Sequence, residues 1–217
     1  MDLGDAIARV PDSLFRSSDT RQRTPPLVAN SNAALFDAFQ RLDITRRGTY
    51  FSIGTGYQRQ PLVAAMLGLD VVIADLDSSA IAMQRSVAEH LSVRPTFLEG
   101  DIIECPSYAL APYLGRMGVV ECLNSTHQDD FVDGAPWLML QLVADGGVLY
   151  ANATGPYPPQ YDKLVRGFLA VAPQLGIRLT LASSGVFTTP NYGNDAKILE
   201  VIKIQSPATV APSLVNT

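Results

Sequence analysis

The segment Tyr50-Phe51-Ser52-Ile53-Gly54-Thr55-Gly56-Tyr57-Gln58 decides the fold class of this chain. Residues 50–53 predict a short β-strand that ends in the two glycines, and residues 60–67 predict the helix that follows. Glycine is favoured in such a turn because the chain bends sharply and a ligand can approach the backbone with no Cβ in the way. The same pattern also occurs in purely structural turns, so residues elsewhere must decide between the two meanings.

Strand and helix patterns alternate along the rest of the chain. Further strands are predicted at residues 71–74, 95–98, 118–123 and 147–151, and further helices at 79–91, 134–142 and 160–172. Two late β-rich runs, 178–187 and 197–204, have no helix between them and predict an antiparallel pair. The sequence therefore predicts an α/β, Rossmann-like, doubly wound sheet of seven strands with the last strand antiparallel.

The chain divides into three regions in this interpretation. Residues 1–47 predict an N-terminal helical lid, with a helix at 2–10 stopped by Pro11 and another at 31–42. Residues 48–205 form the Rossmann-like domain. Residues 206–217 are small, polar and proline-bearing, and we expect a flexible tail. A length of 217 residues fits one domain with a full core.

Composition excludes several classes of function. Hydrophobic residues make up 47% and charged residues 17%, which suits a sheet covered by helices on both faces. A formal net charge of −5 argues against a nucleic-acid surface. The longest apolar tract, residues 137–153, is interrupted by polar residues, and no signal-peptide pattern begins the chain, so we expect no membrane contact.

The cysteines and histidines of the sequence bear on the cellular compartment and on metal binding. The two cysteines, Cys105 and Cys122, form no CxxC pair, which favours a reducing cytoplasm. The two histidines lack ligand spacing, so no metal site is predicted. The expected partner is a small-molecule substrate, and the oligomeric state is left open.

Polar residues follow the second and third predicted strands at the positions that a nucleoside would need. Asp75 ends the second strand about twenty residues after the glycine loop, where a carboxylate accepts hydrogen bonds from both ribose hydroxyls. Asp77 fits the role of helix cap better than Asp75. Asp101, after the third strand, can accept a hydrogen bond from an adenine amine, with Ile102 against the ring; alone, it would indicate only a turn.

Together with Gly146-Gly147 before the fifth strand, these residues resemble the class I S-adenosylmethionine (SAM)-dependent methyltransferases over roughly residues 48–204. The resemblance implies SAM as co-substrate or sole substrate, with the glycine loop on its methionine part, Asp75 on its ribose and Asp101 on its adenine. The late β pair is like the family's antiparallel seventh strand. The cofactor-binding residues predicted on this basis are Gly54, Gly56, Tyr57, Gln58, Asp75, Leu76, Asp101, Ile102 and Asn124.

The sequence departs from the family pattern at two positions. The family's acidic residue before the loop is Ser52 here, and its usual third glycine is Gln58. Such departures occur within this divergent family, and Tyr57-Gln58 is reminiscent of its isoaspartyl branch. These departures concern recognition of the methionine amine and carboxylate. NAD is a lesser alternative because Arg59 breaks the GxGxxG spacing.

Candidate catalytic residues follow the fourth and fifth strands. Asn124 offers a donor and an acceptor to the methionine amine or to an acceptor substrate. His127 is a candidate base near neutral pH, although a solvated loop histidine is the competing interpretation. Tyr157 and Tyr161 can present π-faces to a sulfonium, or simply pack on the sheet. The DPPY-type motif of amino methyltransferases for nucleic-acid bases is absent from the sequence.

Three functions remain open at this stage. The first is methyl transfer from SAM to a small acceptor, because the chain has no large inserted cap domain. The second follows from a resemblance in size and plan to the azetidine-2-carboxylate synthases. It implies cyclisation of SAM, with release of methylthioadenosine, in secondary metabolism, with Asn124 and Tyr161 around the substrate. The third is a non-catalytic SAM-binding partner of another enzyme.

Overall fold

A computed structural model of the chain describes residues 1–15, 32–104, 107–122, 129–153, 158–188 and 195–205. Five of its strands run parallel, and their bounds are β1 Thr49–Ile53, β2 Asp70–Asp75, β3 Thr96–Glu99, β4 Met117–Cys122 and β5 Val143–Ala153. They lie side by side in the order β3-β2-β1-β4-β5. The chain therefore winds outward from β1 to β3 and then crosses back to β4.

Helices follow each of these strands. The helix bounds are α1 Leu3–Arg9, α2 Asn32–Arg41, α3 Gln60–Met66, α4 Ser78–His90, α5 Ser107–Leu110, α6 Asp129–Leu142 and α7 Pro158–Gln174. Short 3₁₀ helices lie at Asp12–Phe15 and Ile44–Arg46. Parallel strands alternating with helices confirm the predicted α/β, Rossmann-like fold. Because strand order reverses between β1 and β4, the carboxyl ends of these two strands border the crevice where such sheets bind ligands.

Two late strands complete the sheet on the side of β5. They are β6 Arg178–Thr188 and β7 Asp195–Gln205. β7 lies between β5 and β6 and pairs antiparallel with both. They extend the sheet away from the crevice between β1 and β4.

Alternation along each strand distributes the core over both faces of the sheet. One face packs beneath α1 to α4, and its buried strand residues are Tyr50, Val71, Ile73, Val119, Val148 and Tyr150. The other face packs beneath α6 and α7, and its buried strand residues include Phe51, Ile53, Val72, Val120, Leu149 and Ala151. Both faces of the parallel strands are thus covered, as the near-continuous apolar runs in the sequence predict.

The described N-terminal helices are part of the core. Ala6 and Ile7 of α1 and Leu35 and Phe39 of α2 are buried in the first of these two clusters. The ring of Phe39 stacks on that of Tyr50, with 6.4 Å between centroids. These two helices therefore cover one face of the sheet, and the predicted role of residues 1–47 as a lid stays a prediction.

Two element bounds differ from those expected. α6 begins at Asp129 and not at residue 134, so that Pro136 lies inside the helix. A Cβ on Gly167 of α7 would lie 2.8 Å from Cγ of Pro136, which shows how closely the two helices approach at this proline. The tertiary packing therefore overrides the usual preference of proline for a first helical turn.

β5 likewise begins earlier than predicted. Its pairing with β4 shifts register between Met117 and Val119, whose partners are Val143 and Val148. Gly146, with φ +75°, lies in the extra residues. This irregularity interrupts the alternation that predicts strands from sequence, and the prediction therefore started only after it.

Candidate functional site

The glycine loop leaves β1 in a conformation that requires its two glycines. Gly54 has φ +61° and Gly56 has φ +53°, values that side chains with a Cβ rarely adopt. The N–H of Gly54 donates to the carbonyl oxygen of Ala74 at 2.8 Å, which holds the start of the loop against β2. A Cβ on Gly56 would meet nothing within 4 Å. The loop therefore borders open space at the crevice between β1 and β4.

Asp75 joins this loop to the end of β2. Its Oδ2 accepts a hydrogen bond from the N–H of Gly56 at 2.6 Å, and its Oδ1 accepts one from the N–H of Asp77 at 2.8 Å. A carboxylate has about four lone-pair positions, so both oxygens retain capacity for a hydroxyl donor. Asp77, not Asp75, is the N-cap of α4 and accepts from the N–H of Ser79 at 2.9 Å. The hydrogen bonds from Ser79 lower the pKa of Asp77.

Gln84 of α4 is a buried residue that contacts the loop, and it is not among the site residues predicted from the sequence. It is fully buried in α4, and its Nε2 donates to the carbonyl oxygens of Gly56 at 3.0 Å and Gln58 at 2.7 Å. Gln58 is itself buried, and Tyr57 is partly buried against the core. The sequence does carry a signal for this contact, because Gln84 is the one polar residue on the buried face of α4. The other buried residues of this helix are Ala80, Ile81, Val87 and Ala88.

A cavity of about 310 Å³ lies at the ends of β2 and β3. Its lining residues are Ala74, Leu98, Glu99, Gly100, Asp101, Ile102 and Glu104. Asp101 Oδ1 accepts a hydrogen bond from the N–H of Ile103 at 2.9 Å, which fixes its carboxylate at the rim. Leu76, next to Asp75, is 62% exposed. The structure thus brings the predicted residues Asp75, Asp101 and Ile102 to one edge of the sheet.

A buried carboxyl group, which is not among the site residues predicted from the sequence, lies behind the glycine loop. Glu121 on β4 is the register partner of Ser52 on β1 and is 1% exposed. Its Oε2 accepts a hydrogen bond from the hydroxyl of Tyr50, and its Oε1 accepts one from Ser52 Oγ at 3.1 Å. Thr55, within the loop, donates to Ser52 Oγ at 2.7 Å. A chain of hydrogen bonds thus runs from the loop to Glu121.

Burial changes the acidity of this group. It raises the pKa of Glu121 to about 7, although the hydrogen bonds from Tyr50 and Ser52 act in the opposite direction. Burial, and then the neighbouring Glu121, raise the pKa of the Tyr50 hydroxyl well above its usual range. The tyrosine therefore stays neutral at neutral pH, while Glu121 is poised between its two protonation states.

Arg59 links the helix after the loop to the N-terminal region. It is 2% exposed, and its guanidinium donates to Oδ1 of Asn32 at the start of α2. Burial lowers the pKa of Arg59, and Asp12 opposes that shift. The residue that breaks the dinucleotide-binding spacing is therefore an interior contact between α3 and the N-terminal helices.

The residues predicted for catalysis follow β4 and β5, largely outside the part of the chain that the structure describes. Asn124 and His127 lie outside the described residues, as does Tyr157. Tyr161 lies in the first turns of α7, where only the backbone is described. Their predicted roles stay predictions. Among the residues that the structure describes, no group of three potential metal ligands occurs, and no helix has the length and apolar character to cross a membrane.

No protein-family model matches the sequence, and a search of curated proteins gives no significant match. The fold does match solved structures. A precorrin-6y C5,15-methyltransferase from Geobacter metallireducens aligns at 13% identity and a TM-score of 0.58, covering 91% of this chain and 97% of that one. A proposed RNA methyltransferase from Pyrococcus horikoshii aligns at 16% identity and 0.57, covering 93% and 94%.

A longer protein also aligns. Trm5b from Pyrococcus abyssi matches at 15% identity and a TM-score of 0.58, covering 78% of this chain but only 49% of that one. Identities this low compare folds and not activities. The chain therefore shares the fold of these solved structures, and the resemblance of the sequence to the class I SAM-dependent methyltransferases implies a fold of this kind.

Proposed function

We propose that this chain is a SAM-dependent enzyme that transfers the methyl group of SAM to a small-molecule acceptor. The observation that carries the proposal is the position of Asp75. Its carboxylate is fixed by the N–H groups of Gly56 and Asp77, and the residue before it, Ala74, lines the cavity. A nucleoside placed with its ribose hydroxyls on Asp75 would set its base in that cavity and its 5′ substituent over the loop.

Each part of SAM then has a candidate partner. The adenine would lie between Leu76 and Ile102, with its amine on Asp101. The methionine part would follow the loop from Gly54 to Gln58. Asp101 already has a fixed carboxylate orientation, and Leu76 has enough exposed surface to cover a ring. An apolar cavity with a few oriented polar groups is typical of sites for small ligands.

The remaining predicted residues would act on the methyl acceptor. We propose that Asn124 orients the methionine amine or the acceptor, that His127 removes a proton where the acceptor requires it, and that Tyr161 faces the sulfonium. Residues 1–47 would close the acceptor side as a lid. Because the electrophile is already activated, alignment supplies much of the catalysis, with proton removal where needed.

The choice of a small acceptor over a nucleic acid rests on charge. A net charge of −5 opposes binding to a polyanion. The solved structures of this fold include both a precorrin methyltransferase and a proposed RNA methyltransferase, so the fold does not decide the acceptor. We therefore expect no affinity for tRNA at physiological salt, which a filter-binding titration measures.

Binding is the first test. Calorimetric titration with SAM and with S-adenosylhomocysteine should give saturable binding to the wild type. Asp75→Ala should weaken it at least tenfold, because the variant lacks the acceptor for both ribose hydroxyls. Asp77→Ala is the matched control, since it removes a neighbouring carboxylate that caps α4 and should leave affinity nearly unchanged. A wild type that binds neither ligand would overturn the proposal.

The reaction is tested by incubation with SAM, with and without candidate acceptors, and mass analysis of the products. S-adenosylhomocysteine formed only with an acceptor supports methyl transfer. Methylthioadenosine with azetidine-2-carboxylate, formed from SAM alone, would replace the proposal by cyclisation. Tight binding without turnover across an acceptor panel would favour a non-catalytic binding partner instead.

A further inference from the structure

The hydrogen bonds of the buried network behind the glycine loop all lead towards Glu121. Thr55 donates to Ser52, Ser52 donates to Glu121, and Tyr50 donates to the second oxygen of the same carboxyl group. A carboxylate that accepts at both oxygens is acceptor-only, which is the ionised form. Protonation would place a donor on one of these oxygens, so that one of the two hydroxyl groups would have to turn. When the proton lies on Oε1, Ser52 is the hydroxyl that turns, and the change reaches the Thr55 hydroxyl in the loop through Ser52.

We propose that Glu121 is a positioning residue of the SAM site, which supplies from β4 the negative charge that β1 lacks at Ser52 and orients the loop through Ser52 and Thr55. The inference rests on the proposed function. SAM carries a sulfonium and an ammonium group, and a buried carboxylate close to the loop would be stabilised in its ionised form by either cation. Binding of SAM would accordingly release a proton from Glu121, and Glu121 would favour SAM over uncharged nucleosides.

The surroundings of Glu121 leave room for such a coupling. Burial raises its pKa to about 7, so that the free protein holds a mixture of both forms at neutral pH. The titratable groups beside it in the sheet are Tyr50 on β1 and Tyr150, its register partner on β5. Cationic groups on the elements around this face include Arg59, Arg47 and His90.

Arg59, before α3, donates a hydrogen bond to Asn32, and the carboxylate of Asp12 stabilises its positive charge. Arg47, at the other end of β1, donates to the carbonyl oxygens of Leu42 and Gly146 at 2.8 and 2.7 Å. His90, at the end of α4, is exposed. None of these three cations contributes to the shifted pKa of Glu121. Among the described contacts Glu121 has no cationic partner, so a bound cation would be the first to act on it.

The test counts protons. SAM is titrated calorimetrically into the wild type at pH 7 in phosphate and in Tris, whose different protonation enthalpies reveal proton exchange. If SAM lowers the pKa of Glu121 by about one unit, about 0.4 of a proton is released from it at pH 7. Glu121→Gln should abolish that component and weaken SAM binding about three- to tenfold. Glu89→Gln, at an exposed carboxylate of α4, should match the wild type in both readouts.

Two further measurements keep the outcome clear. Between pH 5.5 and 8.5, the affinity of the wild type for SAM should rise through about pH 7 and then level off, whereas that of Glu121→Gln should lack this rise. If Glu121→Gln does not fold, Tyr50→Phe tests the same network. Because this variant lacks the donor at Tyr50, the pKa of Glu121 should rise further, and the pH profile of SAM affinity should move to higher pH.

Equal proton release and equal affinity in wild type and Glu121→Gln would overturn the inference while leaving SAM binding intact. A wild type that does not bind SAM would instead overturn the proposed function.

Discussion

Gln84 of α4 donates a hydrogen bond of 3.0 Å to the carbonyl oxygen of Gly56, the same residue whose N–H donates to Asp75 at 2.6 Å. Gly56 is therefore held from both sides, by a helix that follows β2 and by the end of β2 itself. The conformation of the loop depends on residues about twenty to thirty positions further along the chain. These two hydrogen bonds hold the loop in one conformation, as a preformed binding surface would require.

The first prediction concerns this contact. Gln84→Met keeps the length of the side chain but removes the donor, leaving the carbonyl oxygens of Gly56 and Gln58 without it. We expect the free energy of unfolding to fall by about 1–3 kcal/mol, as for other buried groups that lose their partner. SAM affinity should fall as well, because the loop is less ordered before binding. Urea denaturation and calorimetry measure the two effects.

Gln174→Met is the control for this variant. Gln174 also donates to a backbone carbonyl, that of Ala170 at 3.0 Å, but it is exposed on α7. Water replaces its lost hydrogen bond, so both stability and affinity should stay near wild-type values. Equal losses in the two variants would contradict a specific role of Gln84 in the loop.

A second prediction uses two glycines with similar backbone constraints. Gly56 has φ +53° and Gly68 has φ +88°, and a Cβ on either would meet nothing within 4 Å. Alanine should therefore strain each backbone by about 1–2 kcal/mol without a clash inside the protein. Only the Cβ at position 56 would project into the proposed methionine site. Gly56→Ala should thus lose most SAM binding, whereas Gly68→Ala should lose stability alone. Similar calorimetric affinities for both would show that the ligand does not approach Gly56.

The sequence predicts those features of the site that are local along the chain. Asp75 ends β2, while Gly54 and Asp101 follow shortly after β1 and β3, and the parallel arrangement of the strands is enough to bring them to one edge. Glu121 could not be placed in this way, because its contact with Ser52 depends on the register between β1 and β4, which are more than sixty residues apart. The irregular start of β5 was missed because its extra residues break the alternation on which strand prediction relies.

A third prediction follows from the raised pKa of Glu121. Its usual value is 4.5 and its folded-state value is about 7, so the folded protein binds more protons than the unfolded chain between these pH values. Stability from this group is complete below about pH 4.5 and is lost as pH rises through about 7, by up to about 3 kcal/mol. Urea denaturation at pH 5 and pH 8 should show wild type losing stability relative to Glu121→Gln. A difference between the two proteins that does not change with pH would contradict the shifted pKa.

The fourth prediction concerns the end of the sheet opposite the site. A Cβ on Gly118 of β4 would lie 2.3 Å from the carbonyl oxygen of Arg47, and this neighbour is backbone and cannot rotate away. The N–H of Gly118 also donates to Oγ1 of Thr49 at 2.7 Å, so β4 cannot move outward without losing that hydrogen bond. Gly118→Ala should therefore lower the free energy of unfolding by about 1–3 kcal/mol, the usual cost of overpacking.

Gly4→Ala in α1 is the control for this variant. Its Cβ would lie at an ordinary 3.4 Å from Asp2, and alanine should stabilise the helix slightly. Since Gly118 lies far from the glycine loop, the SAM affinity of the folded variant should stay unchanged. A stable Gly118→Ala variant would mean that β4 and the segment before β1 are less tightly apposed than the structure has them.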